Sequence, residues 1–193
     1  LRSPISWAIV GFFGIQSLGF YALLGWMPSA LISIGVSPQA AGNYLGFASA
    51  IGIPSGLIIS SVLGQFKSLA WWAAGTSAMT LLGSIIFTLV LRSTDTSLLL
   101  LACILIGLGM SATFPISLSL ISTRASTQAQ TTQLSAMAQG WGYLLAAAGT
   151  FMVGAVANLV ANYALSFALI TALTLIQAGI GFYAGRPGVI PAK

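Results

Sequence analysis

Residues 11–28 read GFFGIQSLGFYALLGWMP. No charge interrupts this stretch, and its apolar character continues back to Ser6 and on to Ser33. A helix rising 1.5 Å per residue needs about 20 such residues to cross the ~30 Å hydrocarbon core of a bilayer. A strand of a membrane barrel is about ten residues long and alternates in polarity. This stretch is too long and too uniform for that. In lipid every backbone polar group must be satisfied within the segment, so the remaining form is a helix.

Working outward, five more stretches of the same kind follow. The predicted helices are 6–33, 39–64, 69–91, 97–122, 134–158 and 163–185, none with a charge inside. The run 123–133, TRASTQAQTTQ, is rich in Ser, Thr and Gln and predicts a solvated cytoplasmic linker. Composition agrees: 58% of the 193 residues are hydrophobic and only 4% are charged. An ordinary soluble domain carries roughly 25% charged residues. A soluble domain, a nucleic-acid binder and a disordered chain are excluded, leaving an all-α membrane protein embedded in the lipid bilayer.

The charges set an orientation. Six crossings put Arg2, Lys67, Arg124, Arg186 and Lys193 on one side, and Arg92 and Asp95 on the other. The positive-inside pattern then predicts that both termini are cytoplasmic.

Chemistry is restricted by the same counts. With no histidine, one acid (Asp95) and one cysteine (Cys103), hydrolytic triads, carboxylate pairs and ordinary metal sites cannot be assembled. The expectation is a protein that is not an enzyme and has no cofactor or metal. The polar residues inside the helices are the candidates for a pathway, because a polar group in lipid needs a partner or water. They are Gln16, Ser17, Tyr21 and Trp26 in the first helix and Asn43 in the second. Thr113, with Phe114, lies in the fourth, and Gln139 and Tyr143 lie in the fifth. Gln16 and Gln139 carry amides that are expensive to leave unpaired at depth. Pro28, Pro54 and Pro115 lie inside helices and mark kinks.

The chain also echoes itself at half its length. Pro28 and Pro115 fall late in the first and fourth helices, and Tyr44-Leu45 and Tyr143-Leu144 fall in the second and fifth. Three helices followed by three of opposite entry direction make a 3+3 inverted repeat, a plan used by secondary transporters.

Three segments carry a resemblance. Residues 11–28, FPISLSLISTRA (114–125) and LSAMAQGWGYLLAAAG (134–149) resemble the seventh, tenth and eleventh helices of the cyanate/nitroimidazole branch of the major facilitator superfamily. The likeness rests on Gln16, Tyr21, Trp26, Pro28, Phe114, Pro115, Arg124, Gln139 and Tyr143. It implies that residues 1–193 are the C-terminal six-helix half of a transporter in the bacterial inner membrane. It implies alternating access against an N-terminal six-helix half, with a small anion or polar compound as substrate. The first and fourth helices would line the cavity, the second and fifth would flank it, and the third and sixth would face lipid. Where the family has Gly-Pro in the eleventh helix this chain has Gly149-Thr150, and its first inner loop is reduced to Gln65-Phe66-Lys67. The alternative from another class is a six-helix scaffold that transports nothing.

Overall fold

The computed structural model describes residues 3–190. Arg2 and Lys193, two of the basic residues used for orientation, lie outside them. Six long helices form, α1 (Pro4–Ser33), α2 (Pro38–Val62), α3 (Ala70–Ser93), α4 (Leu99–Arg124), α5 (Gln128–Val160) and α6 (Tyr163–Ala184). A single 3-10 turn, Leu63–Gln65, extends α2. There is no strand among the described residues. Even α6, with 22 residues, rises about 33 Å and is long enough to span.

The ends follow local chemistry. Ser3, Ser37, Thr127 and Asn162 each cap a helix by accepting a backbone N–H with the side-chain oxygen. Pro4 and Pro38 occupy first-turn positions, where the missing N–H is no loss. Gly35 takes φ 94° at the α1–α2 turn, which its lack of a Cβ permits. Pro28, Pro54 and Pro115 lie inside α1, α2 and α4. Pro115 has no N–H to offer the Ser111 carbonyl. Gly56 of α2 packs on that oxygen, so that an added Cβ would lie 3.0 Å from it.

Two expectations need correction. Residues 123–133 are not a linker: only 125–127 separate α4 from α5. Thr127 Oγ1 accepts from Gln130 N at 3.2 Å, and the Thr131 and Thr132 hydroxyls donate to the carbonyls of Thr127 and Gln128. The polar run is therefore the solvated start of a 33-residue helix that overshoots the membrane. Nor are the helices free of charge at their ends. Arg92 and Arg124 sit in the last turns of α3 and α4, where a cation complements the helix dipole.

The packing is that of two interlocked triplets. α1 packs mainly on α5, and α4 packs heavily on both α2 and α3. Exchanging α1 with α4, α2 with α5 and α3 with α6 maps one set of partners onto the other. The two matched pairs run parallel: Phe13, Leu18 and Trp26 of α1 meet Gly142, Gly149 and Gly154 of α5 in order, and Ala48 and Gly52 of α2 meet Gly107 and Ser111 of α4. Small residues allow this approach, as expected where lipid gives helices no hydrophobic reason to associate. α3 and α6 cross antiparallel, tied by Thr88 Oγ1 and Thr171 Oγ1 at 3.2 Å and by Leu69 N donating to the Gly185 carbonyl at 2.9 Å.

The buried apolar residues form two clusters, one toward each end of the bundle. The end bearing Lys67, Arg124 and Arg186 is called the basic end below. There Arg124 is buried and donates to the carbonyls of Ala184 (3.0 Å) and Gly185 (2.8 Å), capping α6 from α4. Lys67 and Arg186 are exposed, the latter 5.0 Å from the centre of the Phe182 ring.

Candidate functional site: an aromatic recess between α1, α4 and α5

Between α1, α4 and α5 lies a recess of about 340 Å³. Gln16, Ser17 and Tyr21 reach it from α1, Ser111 and Phe114 from α4, and Tyr143 from α5. Toward the other end it adjoins a wider, open recess of about 590 Å³ between α1 and α5, bordered by Tyr21, Trp26, Tyr143 and Thr150. Tyr21 and Tyr143 belong to both, so they form the neck between them. Neither recess is lined by a charged side chain.

Its walls are rings in mutual contact. Phe114 meets Phe13 (centroids 6.2 Å), Phe13 meets Tyr143 edge-on (5.4 Å), Tyr143 meets Tyr21 (6.3 Å) and Tyr21 meets Phe20 (5.4 Å). Tilted and edge-to-face contacts are the favoured geometries of aromatic pairs and hold these rings in place. Gly142, against the Phe13 ring, lets α5 approach closely enough for the contact.

At the closed side of the recess sit Gln16 and Ser17, 5% and 3% exposed. The Ser17 hydroxyl donates to Gln16 Oε1 at 3.3 Å. The Gln16 amide nitrogen makes no hydrogen bond among the described residues. On the far side of the neck, Trp26 Nε1 donates to the Thr150 carbonyl at 2.8 Å, and its ring lies on Gly154. Trp26 thus clasps α1 to α5. Thr150 Oγ1 is buried beside it without a partner.

Gln16, Ser17, Tyr21, Phe114 and Tyr143 therefore meet in one recess, and Trp26 borders the next. The other candidates lie elsewhere. Thr113 is fully buried and donates to Thr76 Oγ1 and the Gly109 carbonyl, which places it between α3 and α4. Asn43 is exposed on α2 and accepts from the Gln39 amide. Gln139 donates to Ser135 Oγ at 2.6 Å and lines a shallow polar depression with Thr131 and Thr132 toward the basic end. Phe20 and Met110 line the recess but were not singled out from sequence. They carry no polarity to mark them in an apolar helix. Among the described residues no cluster of metal-ligating side chains exists.

Six membrane-length helices in interlocked triplets around an uncharged aromatic recess define an all-α, multi-pass membrane protein. No family model matches the chain. Curated relatives do. It is 35% identical over 185 residues to the 2-nitroimidazole transporter of Escherichia coli (strain K12), a match covering 96% of this chain and 46% of that protein. It is 28% identical over 184 residues to the uncharacterized transporter YycB of Bacillus subtilis (strain 168), covering 95% and 45%. To the E. coli (strain K12) cyanate transport protein CynX it is 24% identical over 166 residues, covering 86% and 42%. The chain is a homologue of these transporters and spans less than half the length of each. None of the three is named as an enzyme.

Proposed function

We propose that these helices form the C-terminal half of a secondary transporter that moves a small, flat, polar solute by alternating access. The observation that carries this is the neck: two recesses meet at Tyr21 and Tyr143. A solute held there touches helices of both triplets. The relatives named for 2-nitroimidazole and cyanate support a solute of that size. Their greater length supports an N-terminal six-helix bundle closing the open side. α2 and α5 are the two spans least buried within the bundle, which supports the same partner against them. The basic end lies in the cytoplasm of a bacterial cell and the bundle in its inner membrane, by the positive-inside pattern of Lys67, Arg124 and Arg186.

In this reading Gln16 donates to the solute and the ring wall stacks against it. Trp26 holds α1 and α5 together beyond the neck. Tyr143→Ala in the intact transporter is expected to lower 2-nitroimidazole uptake about tenfold, the loss of ~1.4 kcal/mol of ring contact, at unchanged membrane level. Leu175→Ala, on the exposed face of α6, leaves uptake unchanged. Equal uptake in Tyr143→Ala and wild type rejects the neck as the solute site. No uptake of any small polar solute by the wild type returns the chain to the scaffold reading.

A further inference from the structure

We infer that the basic end carries a binding site for an anionic phospholipid, whose phosphate is held between Lys67 and Arg186. The inference is independent of which solute the recess takes.

The turn between α2 and α3 and the end of α6 are tied at one atom. The Gly185 carbonyl accepts from Leu69 N at 2.9 Å, from Ser68 Oγ at 3.3 Å and from the buried Arg124 guanidinium at 2.8 Å. Lys67 immediately precedes Ser68, and Arg186 immediately follows Gly185. A bond between residues 117 positions apart thus brings two exposed cations to one junction. Arg186 is held there. Its backbone N–H donates to the Tyr183 carbonyl at 3.3 Å, and its guanidinium carbon lies 5.0 Å from the centre of the Phe182 ring. Further on, Ile190 N donates to the Arg124 carbonyl at 2.8 Å, which fixes the segment at its other end. Arg124 is turned inward and adds a third positive charge beneath the other two.

No carboxylate answers these charges. Asp95, the one acidic side chain of residues 1–193, lies beyond the far end of α3, whose 24 residues rise about 36 Å. Neither Lys67 nor Arg186 makes an ion pair or a side-chain hydrogen bond among the described residues. Charge alone suits any anion, but the surroundings select a lipid. Trp71, in the first turn of α3, is 77% exposed and meets Phe182 edge-on, with centroids 4.9 Å apart. These rings make a ledge from Arg186 across the seam of α6 and α3, as interfacial aromatics do beside headgroups. About two turns deeper, on the face of Phe182, Leu175 is exposed, and about three turns deeper, on the face of Trp71, Leu82 is exposed. They offer apolar surface to an acyl chain. A free phosphate gains nothing from rings or leucines. A zwitterionic headgroup brings an ammonium toward cations with no acid to receive it, whereas an anionic one brings negative charge alone. Basic pockets at the cytoplasmic ends of membrane helices bind headgroups of that kind.

Native mass spectrometry of the intact protein in detergent tests this, with phosphatidylglycerol and phosphatidylcholine of the same acyl chains as probes. Phosphatidylglycerol is expected to bind more tightly. Lys67→Gln and Arg186→Gln are each expected to weaken it about fivefold, and the two together about twenty-five-fold, with phosphatidylcholine unmoved. Arg92→Gln, an exposed cation at the opposite end, is expected to leave both affinities at wild-type values. Equal affinity of the wild type for the two lipids, or phosphatidylglycerol binding that survives the double substitution, overturns the site. An equal loss in Arg92→Gln shows a general effect of net charge and overturns it as well. Displacement of phosphatidylglycerol by inorganic phosphate at comparable concentration assigns the two cations to a free anion and rejects the lipid.

Discussion

Ser77 is fully buried on α3, and its hydroxyl has no hydrogen-bond partner. Its neighbours behave differently. Thr76, Thr80 and Thr88 each donate back to a carbonyl one turn earlier, at 2.9, 3.1 and 2.8 Å. That is how hydroxyls in apolar helices are usually satisfied. Ser77 therefore carries a desolvation cost with no return. Ser77→Ala is expected to stabilise the protein by about 1 kcal/mol, raising Tm by about 3 °C in detergent, with uptake unchanged. A lower Tm would mean that the hydroxyl is used. Thr150 Oγ1 is the other such group among the described residues, in a residue that borders the open recess.

Between elements, the parallel pair α2–α4 depends on glycine at both sides of the crossing. A Cβ added at Gly52 would come within 2.8 Å of the Gly107 carbonyl oxygen, and one at Gly107 would press on the Ala48 backbone. Ser111 Oγ and Ile51 Cγ2 also lie there, but the Gly107 and Ala48 backbone atoms cannot swing aside as a side chain can. Gly107→Val is expected to cost about 1–3 kcal/mol and to lower both Tm and membrane level, by forcing the two backbones apart. Gly140→Val, where an added Cβ meets open space, should leave membrane level near that of the wild type. The sequence made the helices legible because length, apolarity and absent charge are local properties. Which way a residue faces is not local. Gln16, Thr113 and Gln139 are all polar positions in apolar helices. Neighbours far along the chain place Gln16 in the recess and Thr113 against Thr76, whereas Gln139 turns to Ser135, one turn back on its own helix. Phe20 and Met110 were invisible because lining a recess leaves no mark on an apolar side chain. The run 123–133 was misread because the start of an overshooting helix and a loop are polar for the same reason: both are in water.

At the level of the whole bundle, charge is confined to the ends. The chain has no histidine, and its one carboxylate, Asp95, lies in the fully exposed turn between α3 and α4. Backbone Ser97 donates to Asp95 Oδ1 at 2.9 Å and holds its carboxyl below the ordinary 3.8. A depressed folded-state value means the stabilisation is present above the unfolded pKa. It is lost only as pH falls through the folded one, which lies below the range where cells work. No histidine and no carboxylate side chain lies within these helices. Uptake measured from pH 5 to 8 in Asp95→Asn is expected to follow the wild-type profile. A shifted profile would place a coupling group in this turn.

The interlocking of the triplets also has a history in time. Trp26 and the Thr150 carbonyl that it clasps are 124 residues apart. At a synthesis rate of 5–20 residues per second, α1 is in the bilayer for on the order of ten seconds before α5 exists. Throughout that interval Gln16 has no Tyr143 near it, and for most of it no Phe114 either, since both are made later. The residue that gives the finished recess its polarity is, in the newborn chain, a reason for α1 to linger beside water or the insertion machinery. The bundle's most buried helix is thus the first made and among the last to be enclosed.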